Sequence, residues 1–274
     1  MSEILRLRSV GLAAHGPVLT LSLARGQSVA IVGPASSGKS RLLKYMSGQE
    51  APPTGQVDLS SRAAWASHVK DKKHTPQQLA RSGGQHSGQA SRASDALNAT
   101  RLWDHRQRAV SELSPGQQHA CETLSALSCD EGLICMDCHL DHLDPWTLRS
   151  VMDLLRNRMA AGCSVAVVTS RPDVVEQCDL VVVVSNGEVR HAGRVQDLHK
   201  RSQHEIEISS ERQPGVRALV APFTIHAEHH NGKTTLQAKD GQQLAAKLLV
   251  EGYGDVKYVV HRQPTIEECL LGLI

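Results

Sequence analysis

Eight consecutive residues, from Gly33 to Ser40, constrain this chain more than any other stretch. They read Gly-Pro-Ala-Ser-Ser-Gly-Lys-Ser and match the phosphate-binding loop pattern Gly-x-x-x-x-Gly-Lys-Ser/Thr. The apolar and β-branched residues 27–32 before the loop predict a buried strand, and residues 41–46 after it have helical spacing. In that context the N–H groups of the loop and the positive end of the helix bind an anion. The stretch therefore predicts an α/β fold that binds phosphate groups.

The motif also assigns roles to individual residues. Gly33 and Gly38 allow a backbone path that a Cβ atom would block. Lys39 is expected to reach the terminal phosphates of a nucleotide, and the Ser40 hydroxyl to bind Mg²⁺. The other candidate nucleotide-binding residues belong to the loop or follow it directly: Pro34, Ser36, Ser37 and Arg41. A Gly/Ser-rich turn without a ligand is the alternative.

Composition narrows the class of protein. The net charge of the 274 residues is +2, Lys and Arg are not clustered, and there is a single Phe, so we expect no nucleic-acid partner. Seven cysteines without regular spacing indicate reduced thiols and a cytoplasmic protein. The N-terminal residues lack the apolar core of a signal peptide. The longest aliphatic run, residues 180–184, is too short to cross a bilayer, so any membrane role is expected to come through a partner.

The hydrophobic pattern predicts two domains. Residues 4–12 and 17–23 alternate as antiparallel strands do, and strands then alternate with helices, which predicts a mainly parallel sheet over residues 1–200. A helical subdomain is expected at about 62–130. Within it, the polar Gly/Ser/Gln/His-rich residues 70–94 predict a mobile loop, with a histidine metal site as an alternative. Residues 201–274 predict a small α+β domain.

An acid follows the next strongly apolar strand. Residues 132–136 read as a buried strand, and Asp137 ends it. Ligand sites in such sheets lie at the carboxyl ends of the strands, where the phosphate-binding loop also begins. An acid at this place can hold the Mg²⁺ that bridges the phosphates. Ser40 and Asp137 are therefore the predicted magnesium residues.

Further motifs resemble the ATP-binding cassette (ABC) family. Leu-Ser-Pro-Gly-Gln at 113–117 resembles the family signature L-S-G-G-Q, with Pro115 in place of the first glycine, and residues 141–144 match its D-loop, including the final Asp144. The resemblance covers about residues 3–200. It implies a P-loop NTPase fold of ABC type that binds ATP and Mg²⁺. Residues 263–268 resemble, more weakly, an extra domain of some ABC exporter ATPases.

The departures from the family pattern concern hydrolysis. Cys138 stands where the family has its catalytic glutamate, Ser170 where it has its switch histidine, and no glutamine lies near Ser67. The arginine usual after the signature is replaced near Ala120, and His15 falls near the position of the adenine-stacking aromatic, where it could stack or be solvated. A thiol is a poor general base, and losing a base costs about 10²–10⁴-fold in rate. No intact catalytic residue is predicted, so we expect ATP–Mg²⁺ to bind and to be hydrolysed slowly or not at all.

Residues 135–142, Cys-Met-Asp-Cys-His-Leu-Asp-His, allow three interpretations. Cys135 and Cys138 have the spacing of zinc ligands, with histidines nearby. Alternatively, His139 or His142 replaces the missing base, since imidazole titrates near neutral pH. In the third interpretation, Cys138 reflects drift at a position that no longer serves catalysis.

The resemblance also implies partners. ABC ATPases act as head-to-tail dimers in which each nucleotide lies between one subunit's loop and the other's signature, so the signature residues are expected to face a partner's nucleotide: Ser114, Pro115, Gly116 and Gln117. We expect an ATP-binding subunit that is peripheral on the inner face of a membrane through integral-membrane transporter subunits. A complete ABC partner is favoured over a homodimer. The alternatives are a non-transport regulatory or interaction protein switched by ATP, and an active ATPase with a relocated base.

Overall fold

The computed structural model describes residues 2–83, 89–129 and 132–198, and in the remainder residues 204–210, 224–230, 233–238, 244–245, 256–262 and 264–274. The chain divides into two compact units, Met1–Val195 and Gln196–Leu273, with Ile274 grouped with the first. No helix in these described ranges combines the length and the apolar character needed to cross a membrane.

The first unit contains nine strands and six α-helices in its described residues. The strands are β1 (Glu3–Gly11), β2 (Val18–Ala24), β3 (Ser28–Val32), β4 (Thr54–Leu59), β5 (Ala63–Trp65), β6 (Leu133–Asp137), β7 (Ser164–Val168), β8 (Leu180–Ser185) and β9 (Glu188–Arg194). The helices are α1 (Lys39–Met46), α2 (Pro76–Ser82), α3 (Gln89–Ala99), α4 (Pro115–Leu127), α5 (Pro145–Ala160) and α6 (Pro172–Val175), with short 3₁₀ turns at Trp103–His105, Val110–Glu112 and Val195–Asp197.

A six-stranded sheet organises this unit. Its strand order is β5-β6-β7-β3-β8-β9, in which β9 alone is antiparallel to its neighbour. Every residue of β3, β7 and β8 is buried, as expected for parallel strands that are covered on both faces. Asn186 and Gly187, both with positive φ, make the turn from β8 into β9. A second, antiparallel sheet has the order β2-β1-β4. The predicted α/β class, with antiparallel N-terminal strands, is confirmed.

Helix α2 and the start of α3 lie within residues 70–94, the polar segment that predicts a mobile loop inside or beside a small helical region. The Thr75 hydroxyl accepts from the Gln78 N–H, and the Gln78 side chain accepts from the Thr75 N–H. This capping box, with Pro76 at the first helical position, is a start signal that the polar composition obscured. Residues 84–88, the Gly/Gln/His/Ser stretch of the predicted mobile loop, lie outside the described residues.

The second unit contains a four-stranded antiparallel sheet. Its strands are β10 (His204–Ser210), β11 (Thr224–His230), β12 (Lys233–Ala238) and β13 (Val256–Arg262), in the order β11-β12-β10-β13. Helix α7 (Ile266–Leu271) follows and begins with a capping box between Thr265 and Glu268. The helix predicted at 214–220 and most of the one at 242–251 lie outside the described residues.

Candidate nucleotide-binding site

The phosphate-binding loop has the backbone that its glycines permit. Gly33, Ser36 and Gly38 have φ values of 145°, 60° and 105°. A Cβ atom on Gly33 would lie 1.8 Å from the carbonyl oxygen of Val184 in the neighbouring strand β8. Any side chain there would force the loop away from the sheet, so the glycine is required by the close approach as well as by φ.

The loop presents unused donors at the start of α1. Gly38 is the N-cap residue, makes no side-chain cap, and is followed by a first turn without acidic residues. The Lys39 Nζ donates to the Pro34 carbonyl at 2.5 Å, and the buried Ser37 hydroxyl has no hydrogen-bond partner among the residues described. Helix N-termini with free N–H groups attract anions. These groups fit a polyphosphate.

A cleft of about 460 Å³ opens at the loop. It has room for a nucleotide-sized ligand, since ligand pockets typically span about 300–1,000 Å³. Its lining consists of Leu12, Ser36, Ser37, Gly38, Lys39, Ser40, Arg41, Lys44, Glu50 and Gly187. His15 is exposed in the turn between β1 and β2 and is outside this lining. Of the predicted nucleotide-binding residues, six line this cleft, namely Ser36, Ser37, Gly38, Lys39, Ser40 and Arg41, whereas Gly33, Pro34 and His15 lie outside its lining.

Asp137 ends β6 at the edge of the sheet where the loop also lies, because β6, β7 and β3 are adjacent and parallel. Its Oδ1 atom is buried and has no partner within the described chain. An unpaired buried carboxylate oxygen is costly unless something binds it. A hard cation such as Mg²⁺, which prefers carboxylate and hydroxyl oxygens, fits this donor together with Ser40.

Cys138 occupies the place of the base in a strained backbone conformation, with φ of 61°. Burial raises the pKa of its thiol, and the nearby Asp137 and Asp141 carboxylates raise it further, although Lys39 lowers it. The thiol is therefore neutral at physiological pH. A neutral thiol does not accept the proton of an attacking water.

The residues at the switch position are held by Asp141, which the sequence interpretation did not single out. The Asp141 carboxylate accepts from the Thr169 hydroxyl, from the Ser170 N–H at 2.8 Å and from the Ser170 hydroxyl at 2.7 Å. The Arg171 guanidinium adds a bond to the Leu143 carbonyl at 3.2 Å. Because the Ser170 hydroxyl donates its hydrogen to this carboxylate, it is not available to donate to a phosphate.

His139 does not have the geometry of a substitute base. Its Nδ1 accepts from the Asp137 N–H at 3.2 Å, so the hydrogen of the neutral ring lies on Nε2. Burial lowers the pKa of the ring, which favours this neutral form. His142 stacks on His119, with ring centroids 4.8 Å apart. The zinc interpretation through the cysteines also lacks support, since Cys135 is fully buried inside β6 and neither cysteine belongs to a metal-capable group in the described part.

The signature residues start helix α4. Ser114 is the N-cap, its hydroxyl accepts from the Gln117 N–H, and the Gln117 side chain accepts from the Ser114 N–H. Pro115 takes the first helical position, where its missing N–H costs nothing. Gly116 is exposed, with no atom within 4 Å of where a Cβ would lie. The departure at Pro115 is therefore compatible with the helix start that the motif requires.

Asp144 of the predicted D-loop has a structural role in this chain. It is the N-cap of α5, and its carboxylate accepts from the Trp146 and Thr147 N–H groups, both at 3.0 Å. The hydrogen bonds from Thr147 lower the pKa of this carboxyl. The aspartate is thus charged and engaged at the helix start.

Replacing Ser114 by alanine is expected to lower the free energy of unfolding by about 1 kcal/mol, because a cap acceptor is lost. Ser114→Asn, which keeps a side-chain acceptor, is the matched control and is expected to change stability by a few tenths of this amount. Urea unfolding followed by far-UV circular dichroism measures both. Equal stability of the alanine variant and the parent would contradict the capping role.

The chain is similar to known ATP-binding proteins of transporters. The model of the ABC transporter family matches residues 18–138. The chain is 25% identical over 224 residues to the methionine import ATP-binding protein MetN of Bacillus subtilis (strain 168), spanning 70% of this chain and 65% of that relative. It is also 25% identical to the Nod factor export ATP-binding protein I of Ralstonia nicotianae, spanning 93% and 87% of the two chains. Residues 18–138 of this chain therefore resemble an ATP-binding cassette of the ABC family.

Solved structures agree on the fold. One, the ATP-binding subunit of an ABC transporter, has a TM-score of 0.62 at 20% identity and covers 72% of this chain and 92% of its own. A second is a dimeric ATP-binding cassette bound to ADP and Pi, with a TM-score of 0.58 at 21% identity, covering 69% of this chain and 98% of its own. The ABC cassette fold of this chain is thereby established.

Proposed function

We propose that this chain is the ATP-binding subunit of an ABC transporter, and that it binds ATP–Mg²⁺ but hydrolyses it slowly. The observation that carries the proposal is the combination of a complete phosphate-binding loop with a neutral thiol, Cys138, at the place of the base. Two of the relatives are named for import and export, and both are ATP-binding proteins.

Nucleotide binding is supported by groups that remain available. Lys39, the first turn of α1 and the unpaired Ser37 hydroxyl would hold the phosphates, and Ser40 with Asp137 would hold Mg²⁺. The ion would neutralise the phosphate charge. The chain's own part is to orient the triphosphate against the edge of the sheet.

Slow hydrolysis is supported by groups that are missing or occupied. Cys138 cannot accept a proton at neutral pH, the Ser170 hydroxyl is bound to Asp141, and the free nitrogen of His139 carries a hydrogen. A relocated base is therefore disfavoured. A positioned base is worth about 10²–10⁴-fold in rate, so its loss leaves a site that retains ATP.

A partner subunit is the second part of the proposal. Ser114 and Gly116 lie at the exposed start of α4, where they would complete the nucleotide site of another cassette. Because the chain's own hydrolytic groups are impaired, a catalytically complete ABC partner is favoured over a second copy of this chain. The pair would sit on the inner face of the membrane through integral-membrane subunits.

The test combines binding and turnover of the purified chain alone. We expect saturable binding of ATP in the presence of Mg²⁺, with phosphate release close to the background rate. Brisk turnover by the isolated chain would overturn the proposal, as would failure to bind ATP.

The alternative function, a regulatory protein that uses ATP binding as a switch, predicts a different set of partners. Affinity purification of the chain from a detergent extract separates the two. A transporter subunit should bring down membrane-spanning chains and a cassette with intact base and switch residues. A regulatory protein should bring down soluble partners only.

A further inference from the structure

Three side chains from separate elements converge beside the nucleotide site. His68 follows β5, Glu122 lies on α4, and His139 follows β6. One ligand-capable atom from each lies within 4.8 Å of the others. We call these three residues the His68–Glu122–His139 cluster. None of them belongs to the lining of the nucleotide cleft.

The cluster contains a polar atom that lacks a partner. His139 is only 5% exposed, and its Nε2 is buried without a hydrogen-bond partner in the described structure. Burial lowers the pKa of His139. Among the charged groups on other elements, Glu122 raises this pKa and His68 lowers it. A buried imidazole nitrogen left unpaired beside a carboxylate is unfavourable unless something bridges the two.

The carboxylate is already positioned by its neighbours. Glu122 Oε1 lies 2.9 Å from the Nδ1 of His68, and Oε2 lies 3.7 Å from the Nδ1 of His119. The backbone adds a bond from the Ser67 N–H to the Glu122 carbonyl at 3.1 Å. His119 also stacks on His142. Each carboxylate oxygen of Glu122 therefore has an imidazole nitrogen near it, and the contact to His68 is at hydrogen-bond distance.

We propose that the His68–Glu122–His139 cluster binds a zinc-class divalent cation, with one imidazole nitrogen from each histidine, the Glu122 carboxylate and a water as ligands. Two histidines and one carboxylate form a recognised zinc ligand set that leaves a fourth position open. Tetrahedral bonds of about 2.0–2.2 Å separate ligand atoms by about 3.3–3.6 Å. The largest separation in the cluster, at most 4.8 Å, therefore contracts by about 1.2–1.5 Å when an ion binds.

Binding moves protons within the rings but releases none from neutral histidines. The nitrogen that binds the ion gives its lone pair, so the ring hydrogen lies on the other nitrogen. The His68 side chain is 80% exposed, so water can accept the hydrogen of its other nitrogen. For His139, binding through Nε2 puts the hydrogen on Nδ1 and removes the acceptor of the Asp137 N–H. Occupation of the cluster would therefore alter the backbone contact of the predicted magnesium residue.

The ion would connect the segment after β5, helix α4 and the segment after β6. A ligand that binds only the folded state stabilises it by an amount that grows with the logarithm of one plus its concentration over Kd. Zn²⁺ is therefore expected to raise the thermal midpoint of the chain, as well as to bind.

The experiment titrates Zn²⁺ alone into the full chain, stripped beforehand with a chelator, in competition with a chromogenic chelator and without ATP. His68→Ala and Glu122→Gln are the test variants, since both alter side chains with access to solvent. His74→Ala is the matched control, because His74 is an exposed histidine that also lies beside a carboxylate, Asp71 Oδ2 at 3.8 Å.

We expect one tight equivalent of Zn²⁺ in the parent and in His74→Ala, with the affinity lowered at least about 10-fold in both test variants, since even changes behind the ligands cost about 10–100-fold. The rise in thermal midpoint that Zn²⁺ causes in the parent should disappear in both test variants. Absence of a tight equivalent in the parent, or its retention in both test variants, would overturn the proposal. Because no nucleotide is present, the result does not depend on the proposed ATP-binding function.

Discussion

Replacing Lys39 by alanine is expected to weaken binding of ATP–Mg²⁺ by about 10- to 100-fold. The ammonium group lies at the start of α1 and donates to the Pro34 carbonyl, a contact that the terminal phosphates can take over without moving the helix. Hydrogen bonds between charged groups contribute about 1.5–3 kcal/mol, which corresponds to this range of affinity. Calorimetric titration of the purified chain measures the loss.

The matched control for this prediction is Lys44→Ala. Lys44 lines the same cleft, and its replacement by alanine removes the same charge as the replacement of Lys39. The Lys44 Nζ, however, is paired with Glu50 at 2.8 Å. We expect the affinity of the Lys44→Ala variant for ATP to stay within about 3-fold of that of the parent, because an exposed ion pair contributes less than about 1 kcal/mol. Equal losses in the two variants would mean that only the total positive charge matters. No loss in Lys39→Ala would contradict the placement of the phosphates at the loop.

The second large effect concerns turnover. The double variant Cys138→Glu, Ser170→His is expected to hydrolyse ATP at least about 10-fold faster than the parent, since a positioned base contributes about 10²–10⁴-fold. One feature keeps the gain below the upper end: the glutamine expected near Ser67 is still absent. Steady-state phosphate release measures the change.

The single variants and an amide control separate the contributions. Cys138→Glu alone is expected to change turnover by less than about 3-fold, because the Ser170 hydroxyl remains engaged by Asp141. Cys138→Gln with Ser170→His has the same side-chain size without a base and should remain at the parent's rate. If Cys138→Glu alone restored turnover by 100-fold or more, that residue would be the only obstacle. If the double variant gained nothing, these two positions would not be the cause of slow hydrolysis.

Local sequence patterns are sufficient to predict the conformation of the phosphate-binding loop. The order of glycines, lysine and serine in residues 33–40 dictates the turn and the helix start, and the uninterrupted apolar residues of β3 and β8 predict central strands. Short-range rules succeed here because the conformation of each of these residues depends on its immediate neighbours. The capping signal Thr75-Pro76-Gln77-Gln78 is equally local, and it was missed because the surrounding composition is polar.

Such short-range rules do not predict contacts between residues that are far apart in the sequence. Asp141 binds residues 169–170, and the His68–Glu122–His139 cluster joins residues that are 54 (122 − 68) and 17 (139 − 122) positions apart in sequence. No periodicity or motif records which side chains the parallel sheet brings to the same edge. The orientation of His139, which excludes it as a base, likewise follows from a single backbone contact to Asp137.

The residue pattern predicts an α/β fold with a phosphate-binding loop, and the resemblance to the ABC family predicts a thiol and a hydroxyl in place of a glutamate and a histidine. These are statements about residue type and local conformation. The folded chain adds that burial raises the pKa of the Cys138 thiol, that the Ser170 hydroxyl is bound to Asp141 and that two histidines converge on Glu122. Protonation and pairing depend on burial and on neighbours from other strands, and those arise only when the sheet has formed.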